Sequence, residues 1–443
     1  MLCVLSLTSC LREATPIVKN ETQTEQTTVS MAETDSQDTT DAVTDTEDVT
    51  EPEPDEPDVE PNVEVVKWTS RHPSPTTVIM TADEIEAENR RMAEDSESLI
   101  DIFSFGDTVS AAELRSLIGR HSVPPEERYD SDGAPISKEH KEKVKERMNI
   151  GDAESFKTEH GIMTSRGNLR AVPDKMPYRK SPDNRYDSIQ NTELAVGTPV
   201  LVLYTTYDSE YYFIVSGCYS GWMKTSDVAL SDDIDLWMSF AAPERFVCMT
   251  DALYRDGEQS FDMGCILPLV SKGQGGYNVL SPVRNEAGKL DTRELTVPKV
   301  SAVEGYLPYT YENYLNQAFK YEGTEYGWGG LNDGVDCSGF VLNVFKCFGF
   351  RFPRDTKDQD KVVGCALDVV GKSHSDIAAS LDGKVPTVVY YPGHTLLYIG
   401  FDESDGKYYF IHAPKIGERV SVTSKSDLSG MTYIGQVGEY PAA

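Results

Sequence analysis

The sequence predicts a multidomain α+β protein. Three observations carry that prediction. The last third of the chain reads as two helices followed by several antiparallel strands. The middle third is a series of short strands set among turn residues. The start is an acidic, low-complexity tract. At 443 residues there is room for two to four domains.

Residues 1–10 end in Leu7-Thr8-Ser9-Cys10, the form of a bacterial lipobox. They are expected to be a lipoprotein-type leader with Cys10 as its lipidated residue, although the apolar stretch is short and lacks a basic start. Residues 11–66 hold 17 Asp and Glu against Arg12 and Lys19, close to half of the net charge of −32. Such a self-repelling tract is expected to be a disordered acidic Thr/Pro-rich linker or stalk. Residues 67–165 read as a small helical segment. Thr81 with Glu84 and Ser110 with Glu113 form capping boxes, and a third, charged helix runs from Ser137 towards Gly151. Apolar density is modest there, so the segment should wrap against its neighbours.

Two small β barrels are expected next. The first, over 166–240, has strands near 198–204, 211–215 and 221–223; the second, over 241–300, has strands near 245–249, 265–270 and 277–280. Residues 301–443 form the last unit. Its first helix carries Tyr311, Tyr314, Leu315, Ala318 and Phe319 on one face, and its strands fall near 387–390, 395–400, 407–412 and 433–436.

The eight cysteines include no Cys-x-x-Cys pair, which argues against a zinc site or a disulfide framework. No metal or organic cofactor is implied. No basic stripe points to nucleic acid. No stretch is long enough to span a bilayer, so membrane contact is expected only through a lipid at Cys10. Export to the cell envelope is the expected location, with the cytoplasm as the alternative.

The chemistry centres on Cys337. A Gly-rich loop, 327–334, runs into it. After it, Phe340, Val341, Val344, Phe345 and Phe348 repeat at helical spacing, and Gly349 and Pro353 give stop signals. A thiol at a helix start is where unpaired N–H groups and the helix dipole favour thiolate. Asp336 also reads as the N-cap. Three histidines follow. His394 opens one predicted strand and His412 closes the next, with a hairpin turn at 402–406 between them. Adjacent antiparallel strands can present both imidazoles together, one as base and one orienting it. His374 reads as a solvated loop residue and Trp328 as packing.

Four blocks then resemble one family in its order: Tyr326-Gly-Trp-Gly-Gly330, Asp336-Cys-Ser-Gly-Phe340, Pro353-Arg-Asp355 with Gln359, and Gly393-His-x-x-x-Tyr-Ile-Gly400. Over roughly 305–440 the chain resembles the NlpC family of papain-like bacterial cell-wall cysteine peptidases. The phrase at 217–228 resembles the end of a bacterial SH3-like domain. The resemblance implies Cys337 as nucleophile, His394 as base, His412 as the orienting third residue and Tyr326 in the oxyanion site. It implies Asp336 and Ser338 as binders of a substrate's terminal amine, and residues 67–165 as a clip between domains. In the first barrel Tyr219 is the candidate substrate contact, with Asp208 and Glu210 as others.

The implied function is hydrolysis of the γ-D-glutamyl–diamino acid bond (diaminopimelate or Lys) of peptidoglycan stem peptides. The resemblance implies substrates with a free N-terminal L-Ala, because in such enzymes a barrel wall closes one end of the cleft. The acidity of the chain, which should repel anionic wall polymer, fits small released peptides and a recycling or editing role. The alternatives are a wall-binding SH3 lipoprotein, or an amidase or acyltransferase using the same thiol.

Overall fold

The computed structural model describes residues 62–381 and 386–438. The leader with Cys10 and most of the acidic tract lie outside the described residues. Among the described residues no helix is long and apolar enough to cross a membrane.

One element falls partly inside the span read as linker. Asn62 caps a helix, Val63–Thr69, that lies partly within the expected linker. Tertiary packing overrides the local acidity: Val65 and Trp68 are buried, and Trp68 sits 5.1 Å from the Tyr409 ring of the last unit. Lys67 and Arg71 both reach Asp402, at 3.7 and 3.1 Å. A second helix, Ala82–Asp95, opens with the full Thr81–Glu84 capping box. Helices Ala111–Gly119 and Lys138–Arg147 are capped by Ser110 and Ser137.

The first β unit is a seven-stranded antiparallel sheet. It starts at strand Glu159–Met163, ahead of the expected boundary, and includes Gly167–Arg170, Gln190–Leu194, Pro199–Thr205, Tyr211–Val215, Ser220–Lys224 and Val228–Ser231. Gly161 weakens the strand signal at 159–163. It is needed because a Cβ there would meet Val228 at 2.8 Å. Ile234–Ala241 is a helix, which strand spacing did not show. A five-stranded sheet follows, from Phe246–Met249 to Ala302–Glu304, with a separate hairpin of Leu253–Asp256 and Gln259–Asp262.

The last unit opens with helix Tyr311–Phe319, then helix Cys337–Lys346. Its six-stranded antiparallel sheet runs in the order Cys365–Asp368, Tyr433–Gln436, Thr387–Tyr391, His394–Asp402, Lys407–His412, Ser421–Lys425. Phe340, Val341, Val344 and Phe345 are wholly buried, so the predicted helical stripe is the face packed into the core. Two short helices, Thr356–Val362 and His374–Ala379, complete the unit; the second begins at His374, which the sequence reads as a loop residue.

Candidate active site

The loop before Cys337 is folded back on itself. Gly329 and Gly330 take φ of 58° and 85°, and, past Leu331 at −56°, Asn332 and Asp333 take 60° and 55°. These left-handed positions suit glycine and, among side chains, Asn and Asp. It delivers Asp336 to the N-cap, where Oδ1 accepts the Gly339 N–H at 2.8 Å and Oδ2 accepts the Gly329 N–H at 2.9 Å.

Cys337 is the first residue of the helix and is 7% exposed. Its sulfur lies 3.8 Å from Thr356 Oγ1, and the Thr395 backbone also approaches it. His394 immediately precedes Thr395, and the nucleophile helix packs on their strand. Among the described residues the sulfur's side-chain hydrogen-bond partner is Thr356, not His394. His394 Nε2 is instead 2.7 Å from His412 Nδ1. That contact leaves Nδ1 of His394 as the nitrogen available for a proton from sulfur. With a proton on Nε2 of His394, His412 is the acceptor and carries its own proton on Nε2. That buried nitrogen has no partner among the described residues.

The electrostatics differ from the expectation of a ready thiolate. Burial, followed by the Asp336 charge, pushes the Cys337 thiol up to about 11, against smaller opposing effects of Thr356, Thr395 and Arg354. Burial, then the Lys425 ammonium, lowers His394 below the usual imidazole range. Burial, His394 and Lys425 bring His412 down to about 4. The resting pair is therefore thiol and neutral imidazole, suited to general-base activation rather than a preformed ion pair. Burial and the nearby Cys337 and Asp336 raise the half-buried Tyr326 hydroxyl, so it stays a donor.

Asp336 and Ser338 were expected to meet a substrate amine. The structure closes them on Arg354 instead. Arg354 reaches Asp336 through Nη1 at 3.0 Å and Nη2 at 2.7 Å, and donates to Ser338 Oγ at 2.9 Å. All three residues are buried. Burial alone would raise the Asp336 carboxyl, but the Arg354 charge and hydrogen bonds hold it below the usual range. A carboxylate so matched has no uncompensated charge to offer an ammonium. Asp208 and Glu210 are likewise taken, bonded to Arg147 at 2.7 and 2.9 Å. Tyr219 is brought to the site's edge: its hydroxyl donates to Asp355 at 3.4 Å, next to the Thr356 that touches the sulfur.

Sequence reasoning assigned no role to Arg354, Asp355, Thr356 or Lys425. The first two stand in the Pro353-Arg-Asp355 block, which marks the segment but not the partners of its side chains. A cleft of about 400 Å³ opens beside Tyr326 and Trp328, lined also by Arg179, Arg185, Glu325 and Arg419. Among the described residues no group of three or more His, Cys, Asp or Glu side chains is arranged to hold a metal ion.

A thiol at the start of a buried helix, with two linked imidazoles on adjacent antiparallel strands, has the layout of a papain-like cysteine peptidase. Comparison with known proteins makes that class specific. Residues 323–434 match the NlpC/P60 family, and residues 175–224 match an SH3 domain of the SH3b1 type. The chain is 27% identical over 275 residues to gamma-D-glutamyl-L-lysine dipeptidyl-peptidase of Bacillus subtilis, covering 58% of this chain and 84% of that one. It is 27% identical over 163 residues to the protein of the same name from Bacillus cereus, covering 35% of this chain and 43% of that one. An NlpC/P60 endopeptidase of Photobacterium damselae subsp. piscicida shares the fold, with a TM-score of 0.68 at 17% identity over 85% of this chain and 97% of that one. The chain thus carries an NlpC/P60 domain at residues 323–434 and an SH3b-type domain at 175–224, and is a cysteine peptidase of the peptidoglycan-hydrolase kind.

Proposed function

We propose that this peptidase cleaves the γ-D-glutamyl–diamino acid bond of peptidoglycan stem peptides, acting on released peptides with a free N-terminal L-Ala. The observation that carries this reading is the contact of Tyr219, a first-barrel residue, with Asp355 beside Thr356 and the Cys337 sulfur. It sets a barrel wall against one end of the reacting centre, which suits a short peptide end better than a continuing polymer. The names of the Bacillus relatives point to the same bond. With Asp336 matched by Arg354, Asp355 is our candidate to receive an ammonium: Tyr219 donates to it, and its ion pair is the long, exposed contact with Lys357 at 3.9 Å. Burial raises the Asp355 carboxyl, and an arriving cation would restore its charge. The guanidinium groups of Arg179 and Arg185 suit the carboxylates that such a peptide carries.

In this mechanism Cys337 Sγ attacks the γ-glutamyl carbonyl while His394 Nδ1 takes the thiol proton. His412 accepts from His394 Nε2 and holds the ring in that tautomer. The oxyanion rests on the Tyr326 hydroxyl and the Cys337 backbone N–H. The C–N bond then breaks as His394 protonates the leaving amine. Water, deprotonated by the same imidazole, releases L-Ala-γ-D-Glu and returns the thiol.

The test is mass spectrometry of two substrates with wild type and Cys337→Ala. One is free L-Ala-γ-D-Glu-diaminopimelate and the other is that peptide on muramic acid. Cleavage of the free peptide alone, lost in the variant, is expected. Cleavage of both would make the protein a wall hydrolase with an open cleft. Cleavage of neither by folded wild type would favour the binding or acyl-transfer alternatives.

A further inference from the structure

The first barrel does more than stand beside the catalytic unit. Besides Arg166 and Tyr219, Asp187, Gln190 and Thr192 hydrogen-bond to the segments that support Cys337. Asp187 O accepts the Trp328 indole N–H at 2.9 Å. Gln190 Nε2 donates to Gly329 O at 3.1 Å. Thr192 Oγ1 accepts the Arg354 Nε–H at 2.7 Å while donating to Glu193 O at 3.0 Å. The last contact is buried on both sides.

Arg354 is the hub. Its Nη atoms hold both oxygens of Asp336. Asp336 in turn holds the Gly329 N–H of the preceding loop and the Gly339 N–H of the nucleophile helix. We propose that Thr192 is a positioning residue for the nucleophile, acting through Arg354 and Asp336, so that the barrel is a working part of the catalytic apparatus. The hydroxyl is specifically suited. It accepts one hydrogen bond and donates another, which valine of the same shape cannot do. Without it a buried guanidinium N–H is unpaired, and the guanidinium loses the contact that fixes its plane, so it shifts on the Asp336 carboxylate. That shift loosens the loop and leaves the Asp336 charge less matched beside the sulfur.

This inference rests on the role proposed for Cys337. Its test compares wild type, Thr192→Val and Thr192→Ser. The first readout is peptide-resolved iodoacetamide labelling of Cys337 against pH, which needs no knowledge of the substrate. The charged and titratable groups near the sulfur are Asp336, Arg354, Tyr326 and His394. Only the Asp336–Arg354 match changes directly in the valine variant. Its Cys337 labelling curve is expected to move to higher pH, and the serine variant to match wild type. The second readout is turnover of the free peptide. In Thr192→Val, kcat is expected to fall about tenfold with KM within about twofold, and Thr192→Ser to restore it. Circular dichroism confirms folding of each variant.

An unchanged labelling curve in folded Thr192→Val would overturn the inference. So would a raised KM at unchanged kcat, which would make Thr192 a substrate contact. If peptide turnover is absent even in wild type while labelling shifts as described, the positioning role stands and the substrate reading fails.

Discussion

At the residue scale the site turns on two opposed shifts. Burial and Asp336 keep Cys337 protonated up to about 11, while burial and Lys425 keep His394 neutral below the usual imidazole range. In the proposed mechanism the active form needs a neutral His394. As pH falls, activity should persist through about 6.5, the ordinary imidazole value, and be lost only below it. Lys425→Met removes a cation that disfavours the imidazolium, so the His394 value rises and the acid limb moves up. A pH profile of kcat/KM on both proteins checks this. An acid limb at or above 6.5 in wild type, or no movement in the variant, would contradict the assignment.

At the element scale the loop before the nucleophile is shaped by its neighbour in the barrel. A Cβ on Gly330 would lie 2.5 Å from Glu193 Oε2, and the residue sits at a φ of 85°. Gly371 also has positive φ, 72°, but a Cβ there meets nothing within 4 Å. Gly371→Ala should lose only the conformational term, about 1–2 kcal/mol. Gly330→Ala adds overpacking of about 1–3 kcal/mol. Urea midpoints of the two variants measure the difference, and equal losses would show that the barrel does not press on this loop.

The same loop shows what could be read from the sequence. Cys337, its helix and the His394–His412 hairpin were legible because each is a local pattern: spacing, capping and turn residues within a few positions. The N-cap role of Asp336 was legible for the same reason. Its pairing with Arg354 was not, because a partner 18 positions away is chosen by tertiary packing. Nor was helix Val63–Thr69, whose acidic, linker-like context is overridden by burial of Trp68. Strand Glu159–Met163 was hidden by Gly161, a residue present for close packing rather than strand propensity.

At the scale of the whole molecule, the N-terminal segment touches both halves of the site. Its first two helices lie on the catalytic unit: Trp68 packs at Gly400 and Tyr409, and Asn89 bonds to Gly349 O and Arg351 N at 2.9 and 2.8 Å. Farther on, Ile102, Val109, Leu114 and Ile118 share a core with Leu201, Phe213 and Trp222 of the first barrel. Between them Ser98 bonds to Asp358 at 2.7 Å and the Ile100 N–H to Gly217 O at 2.9 Å. These contacts support reading the segment as a clip that keeps Tyr219 and Thr192 in register with Asp355 and Arg354. On the proposed roles of Tyr219 and Thr192, residues 323–434 alone would lack part of the catalytic apparatus.

The central claim is that Cys337 becomes acylated by the γ-glutamyl group of a free-ended stem peptide. Rapid acid quenching during turnover of L-Ala-γ-D-Glu-diaminopimelate, followed by peptide mass mapping, tests it directly. The predicted result is an L-Ala-γ-D-Glu thioester on the peptide that contains Cys337, absent in Cys337→Ala. Turnover with no adduct there, or an adduct of any other acyl group, would contradict it.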